Sequence, residues 1–373
     1  MVTINLKKYA HPIAIPCKIS EHAPPPTTDR YEPCRSYVEN DFKFQTATLL
    51  HAIAIKAAPS NLKLSRQEFI CRALDVADCL DVDGEIIRMK HRPEGDFQTQ
   101  LSHRFGVGLM CIIASSGWHI RWADLRPIPG PGKRFDYRAS CMNGLSAIFE
   151  AKGTTSSKTQ QTQITNGLAK KLDIHRRSVG ADIELIIASR IGDIHENSCV
   201  VFADPPMDFD DRAFSAKMDP LFRVHHAARV LRIAGYIKLS NKIIRQAKEI
   251  ERDLFPKYFS QKTDRFQFEK IAAISIDGPP QKLLSRESKG TRIERIDDHS
   301  YMGFPAVSCL IGGVLCKVNF GVSDELLEYA NAGNITRIAN FSEGDIGIST
   351  AGYESGTLIS KLPDGSAMVI SAE

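Results

Sequence analysis

The sequence has no run of about 18 consecutive apolar residues, so a membrane-spanning helix is not expected. Cys-x-x-Cys is also missing, and the 9 cysteines are an odd number at scattered spacing. That pattern argues against a disulfide framework or a cysteine zinc knuckle. Met1–Tyr9 lacks the apolar stretch of a secretory leader, so a reducing, cytoplasmic setting is expected. There is no internal repeat. Charge of neither sign dominates: 48 Lys and Arg stand against 44 Asp and Glu, a net charge of +4. What is present is apolar content of 43% over 373 residues. At roughly 150 residues per domain, this is enough for two or three domains with real cores.

The charge is unevenly placed. Residues 151–180 carry Lys152, Lys158, Lys170, Lys171, Arg176 and Arg177 against Asp173 alone. Residues 223–252 carry eight bases (Arg223, Arg229, Arg232, Lys238, Lys242, Arg245, Lys248 and Arg252) against Glu249 and Glu251. Residues 321–373 invert this, with eight acids against Arg337 and Lys361. A basic middle attracts a polyanion by releasing its counterions; either run alone reads equally as a solvated helical face.

Four segments follow along the chain. Residues 1–96 read as an arm containing Ala23-Pro24-Pro25-Pro26, then a small helical part. Residues 97–210 hold the clearest patterns. Leu101, Phe105, Leu109, Ile112 and Ile113 predict an amphipathic helix over 98–116, ended by Gly117. Gly106 and Gly108 cost that helix stability unless another backbone packs close. Trp118, Ile120 and Trp122 alternate as a strand, as do Arg134–Cys141 and Leu145–Lys152. A helix at 158–172, a second helix and the strand Ser198–Ala203 complete the segment. Residues 211–262 read as basic helices, near 219–235 and 240–254. Residues 263–373 read as α+β, with apolar runs at Ile271–Ile276 and Ala306–Val318 and a helix at Asp324–Ala332.

The chemistry-bearing stretch is Phe135-Asp136-Tyr137, twelve residues, then Glu150-Ala151-Lys152-Gly153. Alternation puts Glu150 and Lys152 on one strand face, roughly 7 Å apart. A two-residue Asn143-Gly144 turn sets Asp136 opposite Ala151. A three-residue loop, Met142-Asn143-Gly144, sets it opposite Glu150 and Arg134 opposite Lys152. Sequence alone does not choose, but the second register brings two carboxylates together. Facing carboxylates repel, and a hard divalent cation offsets that repulsion while recruiting water and phosphate oxygens.

On these residues the chain resembles the PD-(D/E)xK nucleases, the restriction-endonuclease-like superfamily, over residues 98–204. The resemblance implies an α/β fold with a restriction-endonuclease-like core: helix, three-stranded hairpin sheet, helix, strand. It implies Mg²⁺ (or Mn²⁺) held by Asp136, Glu150 and the Ala151 carbonyl, with Lys152 assisting the attacking water. Gln161 is the expected helix glutamine, since it shares a face with Ile164 and Leu168; Gln160 is second and Gln163 points more outward. Two departures stand out. Phe135 replaces the usual proline, and Gly106 occupies the position where several members carry a helix glutamate.

Two further Asp/Glu-x-Lys triplets compete. Asp41-Phe42-Lys43 follows the proline-rich arm without an evident partner strand. Glu287-Ser288-Lys289 has Asp277 upstream but reads as a loop. Asp204-Pro205-Pro206-Met207 lacks the glycine-rich loop a methyltransferase needs, and Pro129-Gly130-Pro131-Gly132-Lys133 lacks P-loop spacing. His225-His226 are adjacent on a helix and do not share a face. Trp118 and Trp122 read as core rather than base-stacking residues. Thr154, Thr155 and Ser156 read equally as phosphate contacts or as a helix cap. The expectation is a Mg²⁺-dependent DNA endonuclease of restriction or phage defence, with DNA and a protein partner or second copy as partners and no membrane. The alternative is a catalytically inactive nuclease-like nucleic-acid-binding or assembly subunit.

Overall fold

A computed structural model describes residues 5–57, 66–84, 86–90, 95–128, 135–141, 143–175, 181–193, 195–204, 219–254, 291–296, 299–311, 313–341 and 349–372. In chain order the first elements are β1 (Pro12–Ile15), β2 (Cys17–Ile19), α1 (Glu32–Asn40), β3 (Phe42–Gln45) and α2 (Thr46–Ala52). They are followed by α3 (Arg66–Cys79), β4 (Leu80–Asp83), β5 (Ile86–Met89) and α4 (Gly95–Trp118). Next come β6 (Arg126–Pro127), β7 (Tyr137–Ser140), β8 (Ser146–Thr154), α5 (Ser157–His175), β9 (Ile183–Arg190), β10 (Cys199–Ala203), α6 (Asp219–Ile233) and α7 (Ile237–Leu254). The C-terminal elements are β11 (Thr291–Ile296), β12 (His299–Gly303), β13 (Val307–Ile311), β14 (Val314–Ser323), α8 (Asp324–Asn331), α9 (Ile335–Asn340), β15 (Thr350–Glu354), β16 (Thr357–Leu362) and β17 (Ser366–Ala372).

The architecture is α/β. A six-stranded mixed sheet runs β2-β10-β9-β8-β7-β6. β8 and β9 are parallel, joined through α5, and β7–β8 is an antiparallel hairpin. α4 lies on one face, where its Trp118 meets Phe149 of β8 with ring centroids 5.7 Å apart. On the other face α5 packs through Ile164, which clusters with Ile148 and Ile186. Every residue from Arg104 to Ser115 is buried. α4 is covered on its far side by α2 and the following π-turn, so apolar residues are needed all round it.

The α/β class agrees with the sequence reading, and five of its details are corrected. α4 runs through Gly117 to Trp118, and His119, with φ +49°, supplies the left-handed turn after it. Residues 118–122 form no strand: Trp118 closes the helix, and the Ile120 N–H donates to the Ser115 carbonyl (3.3 Å). Their alternation reflects burial around a turn, with Trp118, Ile120 and Trp122 at most 7% exposed. Residues 183–190 are strand rather than helix, since both faces of β9 are covered and the apolar run has no period to read. The N-terminal part is not merely helical: β2 pairs parallel with β10 at the sheet edge, and Ala23 is tied by its carbonyl to the Asp204 N–H (2.9 Å). Asp41-Phe42-Lys43 also has a partner, because β3 pairs with β1.

A second, seven-stranded sheet holds the C-terminal part. One apolar cluster includes residues of both parts, from Leu6 to Ile370. The C-terminal sheet is bound to it through a buried polar chain. The Lys56 ammonium donates to the Leu125 carbonyl (2.8 Å) and lies 3.1 Å from His226 Nδ1. His226 Nε2 meets Asp364 (2.7 Å), whose other oxygen accepts from the Ser366 hydroxyl (2.5 Å). Ser366 in turn lies 3.1 Å from His51 Nε2. Burial lowers both imidazoles, to about 4, and lowers Lys56 to about 8. His226 is therefore the neutral tautomer with its proton on Nε2, donating to a carboxylate that this contact holds below its usual range. The apolar run Ile271–Ile276 and the Asp277, Glu287 and Lys289 triplet lie outside the described residues.

Candidate functional site

The β7–β8 turn is the three-residue form. Cys141 N–H donates to the Leu145 carbonyl (2.8 Å), and Gly144, at φ +81°, donates to the Cys141 carbonyl (3.0 Å). Only glycine takes that backbone conformation without strain. The resulting register pairs Tyr137 with Phe149, and continued by one residue it sets Asp136 opposite Glu150. The ladder stops there. Instead of a backbone carbonyl, the Asp136 carboxylate accepts the Ala151 N–H (3.1 Å). Asp136 is half-buried, so it caps a strand and faces the opening beside it.

β8 carries the other two groups. Glu150 is 0% exposed, and its carboxylate pairs with the Lys152 ammonium. Two residues apart on a strand share a face, so the pair follows from alternation alone. Lys152 keeps 18% of its side chain exposed and so connects a closed carboxylate to solvent.

α4 passes directly over this strand end. A Cβ on Gly106 would meet the Lys152 carbonyl at 2.7 Å and Gly153 Cα at 2.8 Å. Gly106 is thus kept small by backbone packing, in the place where an acid was considered. Gly108 is similarly constrained, by the Ile53 side chain at 2.6 Å.

A cleft of about 420 Å³ opens where these elements meet. Asp136 and Ala151–Thr154 line its floor, Gln98, Thr99, Ser102 and His103 of α4 one wall, and Thr155, Ser156, Thr159 and Gln163 the other. Asp136, Ala151 and Lys152 of the expected site lie together here, with Glu150 beneath Lys152. Gln161 does not: it is exposed, on the outer surface of α5. The buried face of α5 runs through Gln160, Ile164 and Gly167, and Gly167 packs so close that a Cβ would meet Ile186 Cδ1 at 2.9 Å. That glycine turns the helix away from Gln161. Gln160 is buried against the sheet, donating to the Ala188 carbonyl (2.7 Å). Gln163 is the glutamine in the cleft, donating to the Gly153 carbonyl (3.1 Å). Thr154 and Ser156 serve as caps: Thr154 Oγ1 accepts the Ser156 N–H (3.3 Å) and Ser156 Oγ accepts the Thr159 N–H (3.2 Å). Thr155 Oγ1 accepts from Gln98 (2.5 Å), bridging the two walls.

Of the basic runs, α7 presents the clearest outward stripe: Lys238, Asn241, Arg245 and Lys248 are exposed while Leu239, Ile243 and Ala247 are buried. In α6 the bases turn inward instead. Arg223 binds Asp124 with both Nε and Nη2, the latter at 3.1 Å, and burial lowers the Arg229 guanidinium. Among the described residues no group of three or more His, Cys, Asp or Glu is arranged to hold a metal ion, and no helix is long and apolar enough to cross a membrane. No family model, no curated protein and no solved structure matches the chain.

Proposed function

We propose that the chain is a metal-dependent nuclease that hydrolyses DNA phosphodiester bonds on a restriction-endonuclease-like core. The observation that carries this reading is the register of one hairpin. Continued by one residue, it sets Asp136 opposite Glu150, and Asp136 and Lys152 line a cleft with the buried Glu150 paired to Lys152. The order α4, β6–β7–β8, α5, β9 is compatible with it as helix, hairpin sheet, helix and strand, with β6 at Arg126–Pro127 rather than 118–122 and β9 in place of the expected second helix. The donor set is hard oxygen: two carboxylates and the Ala151 carbonyl. With waters and phosphate oxygens filling the remaining positions, it suits a small divalent cation. Asp136, Glu150 and Ala151 would hold Mg²⁺ or Mn²⁺, which when bound acidifies a water and offsets charge at the phosphorus.

The chain's own residues do the rest. Lys152 offers an ammonium to a phosphate oxygen or to the attacking water while its partner Glu150 keeps it extended along β8. Gln163 fixes the Gly153 carbonyl, and with it the strand end that carries Lys152. The outward bases of α7 attract the polyanion at long range. By analogy the setting is restriction or phage defence, and cutting both strands calls for a second copy or a partner.

The second reading is a non-cleaving nucleic-acid-binding or assembly subunit. Gly106 favours it, since the helix offers no acid at that point, as does the engagement of Glu150 by Lys152. The deciding experiment is cleavage of plasmid and linear DNA with Mg²⁺ or Mn²⁺, comparing wild type, Lys152→Ala and Asp136→Asn. Metal-dependent cutting abolished in both variants supports the nuclease. Binding without cutting in all three supports the second reading. Cutting that survives in both variants rejects this site.

A further inference from the structure

Away from the cleft, α3 lies along the outer edge of the C-terminal sheet. Among the described residues β13 is an edge strand there, hydrogen-bonded to β14 alone, and α3 covers it. Two α3 residues on one helical face meet this hairpin, with the fully buried Leu74 between them in sequence: Asp78 Oδ1 accepts the N–H of Gly313 at the hairpin turn (2.6 Å), and Cys71 reaches β13. There Cys71 Sγ stands 3.1 Å from Cys309 Sγ, and 3.6 Å from the Ser308 carbonyl. Both are free thiols. They are 238 residues apart in sequence, so this juxtaposition is made by the fold.

We propose that Cys71 and Cys309 form a reversible oxidation site, a dithiol that a hydroperoxide converts into a disulfide joining α3 to β13. The approach needed is about 1 Å, from the present contact to a bond of about 2.0 Å. Access assigns the order. Cys71 is half-exposed and Cys309 is 3% exposed. Burial and the neighbouring Cys71 also raise the Cys309 thiol, so it stays protonated. The Cys71 sulfur attacks the peroxide oxygen, the O–O bond breaks, and Cys71 becomes a sulfenic acid while its thiol proton leaves on the released oxygen as water, or as the alcohol of an organic peroxide. Cys309 sulfur then attacks the sulfenic sulfur, the S–O bond breaks, and the hydroxide leaves with the Cys309 proton as water. Two thiols lose two electrons and the peroxide gains them. Cys316 lies opposite Cys309 in the β13–β14 register and is the competing partner. The site stands independently of the nuclease reading.

The test is to treat the full chain with hydrogen peroxide, alkylate the remaining thiols, digest it without reductant and weigh the peptides. Expected is a linked pair of peptides containing Cys71 and Cys309, lighter by two hydrogen atoms and separated by dithiothreitol. It should be absent in Cys71→Ser and in Cys309→Ala and retained in Cys79→Ser, the other half-exposed cysteine of the same helix. Closing so long a loop should also raise the Tm by about 5 °C or more, reversibly. A Cys309–Cys316 link, a Cys71 sulfinic acid with Cys309 still alkylated, or oxidation unchanged by Cys71→Ser would overturn the proposal. The wild-type peptide masses decide the matter even if a variant fails to fold.

Discussion

Gly153 of β8 and Ser102 of α4 meet backbone to backbone: a Cβ on Gly153 would stand 1.6 Å from the Ser102 carbonyl oxygen. With Gly106 pressed against the same strand end, this contact sets the height of α4 over β8. It therefore sets the distance from Lys152 and Asp136 to the α4 wall of the cleft. Side chains at either glycine would lift the helix and open the site.

Gly153→Ala should accordingly be among the most damaging single substitutions in the chain, costing about 4 kcal/mol or more, because the obstacle is backbone and cannot rotate away. Gly144→Ala provides the contrast. Its φ is +81° but nothing lies within 4 Å, so only the left-handed conformation is penalised, by about 1–2 kcal/mol. Urea midpoints of the two variants check the difference, and equal losses would mean that α4 does not rest on β8 as described.

Lys152→Met removes the ammonium from a carboxylate with no solvent exposure. Breaking a buried pair on one side costs about 3–5 kcal/mol, whereas replacing both partners is far milder. The double variant Glu150→Gln with Lys152→Met should therefore be more stable at neutral pH than Lys152→Met alone. A double-mutant cycle by chemical denaturation measures this. Additive losses would show that the pair is not coupled.

The buried imidazoles give the chain an acid limit. His51 and His226 are lowered by burial to about 4 from an ordinary 6.5. Between those values the unfolded chain binds protons that the folded chain refuses, so stability is held above pH 6.5 and falls as the pH drops towards 4. Each site contributes on the order of 3 kcal/mol across that window. The Asp364 contribution persists through it, because its carboxyl is held below the usual range. Unfolding free energy followed by urea titration across the window should slope downward with acid, and His51→Gln should flatten the slope by about half. A flat profile in the wild type would remove both histidines from the interior.

If the chain binds DNA, the α7 stripe should set its salt dependence. Each of Lys238→Ala, Arg245→Ala and Lys248→Ala should weaken binding for all sequences alike and reduce the log–log salt slope by about 1 where a phosphate is contacted. Arg223→Ala, whose guanidinium is committed to Asp124, should change stability instead. Fluorescence anisotropy over a salt series separates the two effects, and an unchanged slope in all three stripe variants would place the polyanion elsewhere.

The parts of this site legible in sequence were those governed by local rules. Gly144 marks a left-handed position, which fits a two- or a three-residue loop alike, and the period of two in β8 joins Glu150 to Lys152. The tolerance of Gly106 was foreseen on condition that a backbone came close, which β8 does. What escaped was set by tertiary burial. β9 lies under both helical layers, so its apolar residues carry no alternation to distinguish strand from helix. Residues 118–122 alternate without being a strand because the chain turns over the core there. The paired thiols of Cys71 and Cys309 have no sequence signal, being brought together from opposite ends of the chain.

Gln161 and Gln163 illustrate the same limit and yield the last prediction. Ile164 and Leu168 alone set the inward direction of α5 on the Gln161 side, but Gly167, the point of closest approach to Ile186, shifts the buried face towards Gln160. Gln163 is thereby brought to the cleft and Gln161 to solvent. On the nuclease reading, Gln163→Ala should lower the cleavage rate about tenfold, the worth of one hydrogen bond that holds the Gly153 carbonyl. Gln161→Ala should cut like wild type, and thermal unfolding should show both variants folded. The reverse ranking would restore the sequence-based assignment and mean that α5 is rotated by nearly half a turn from the position described.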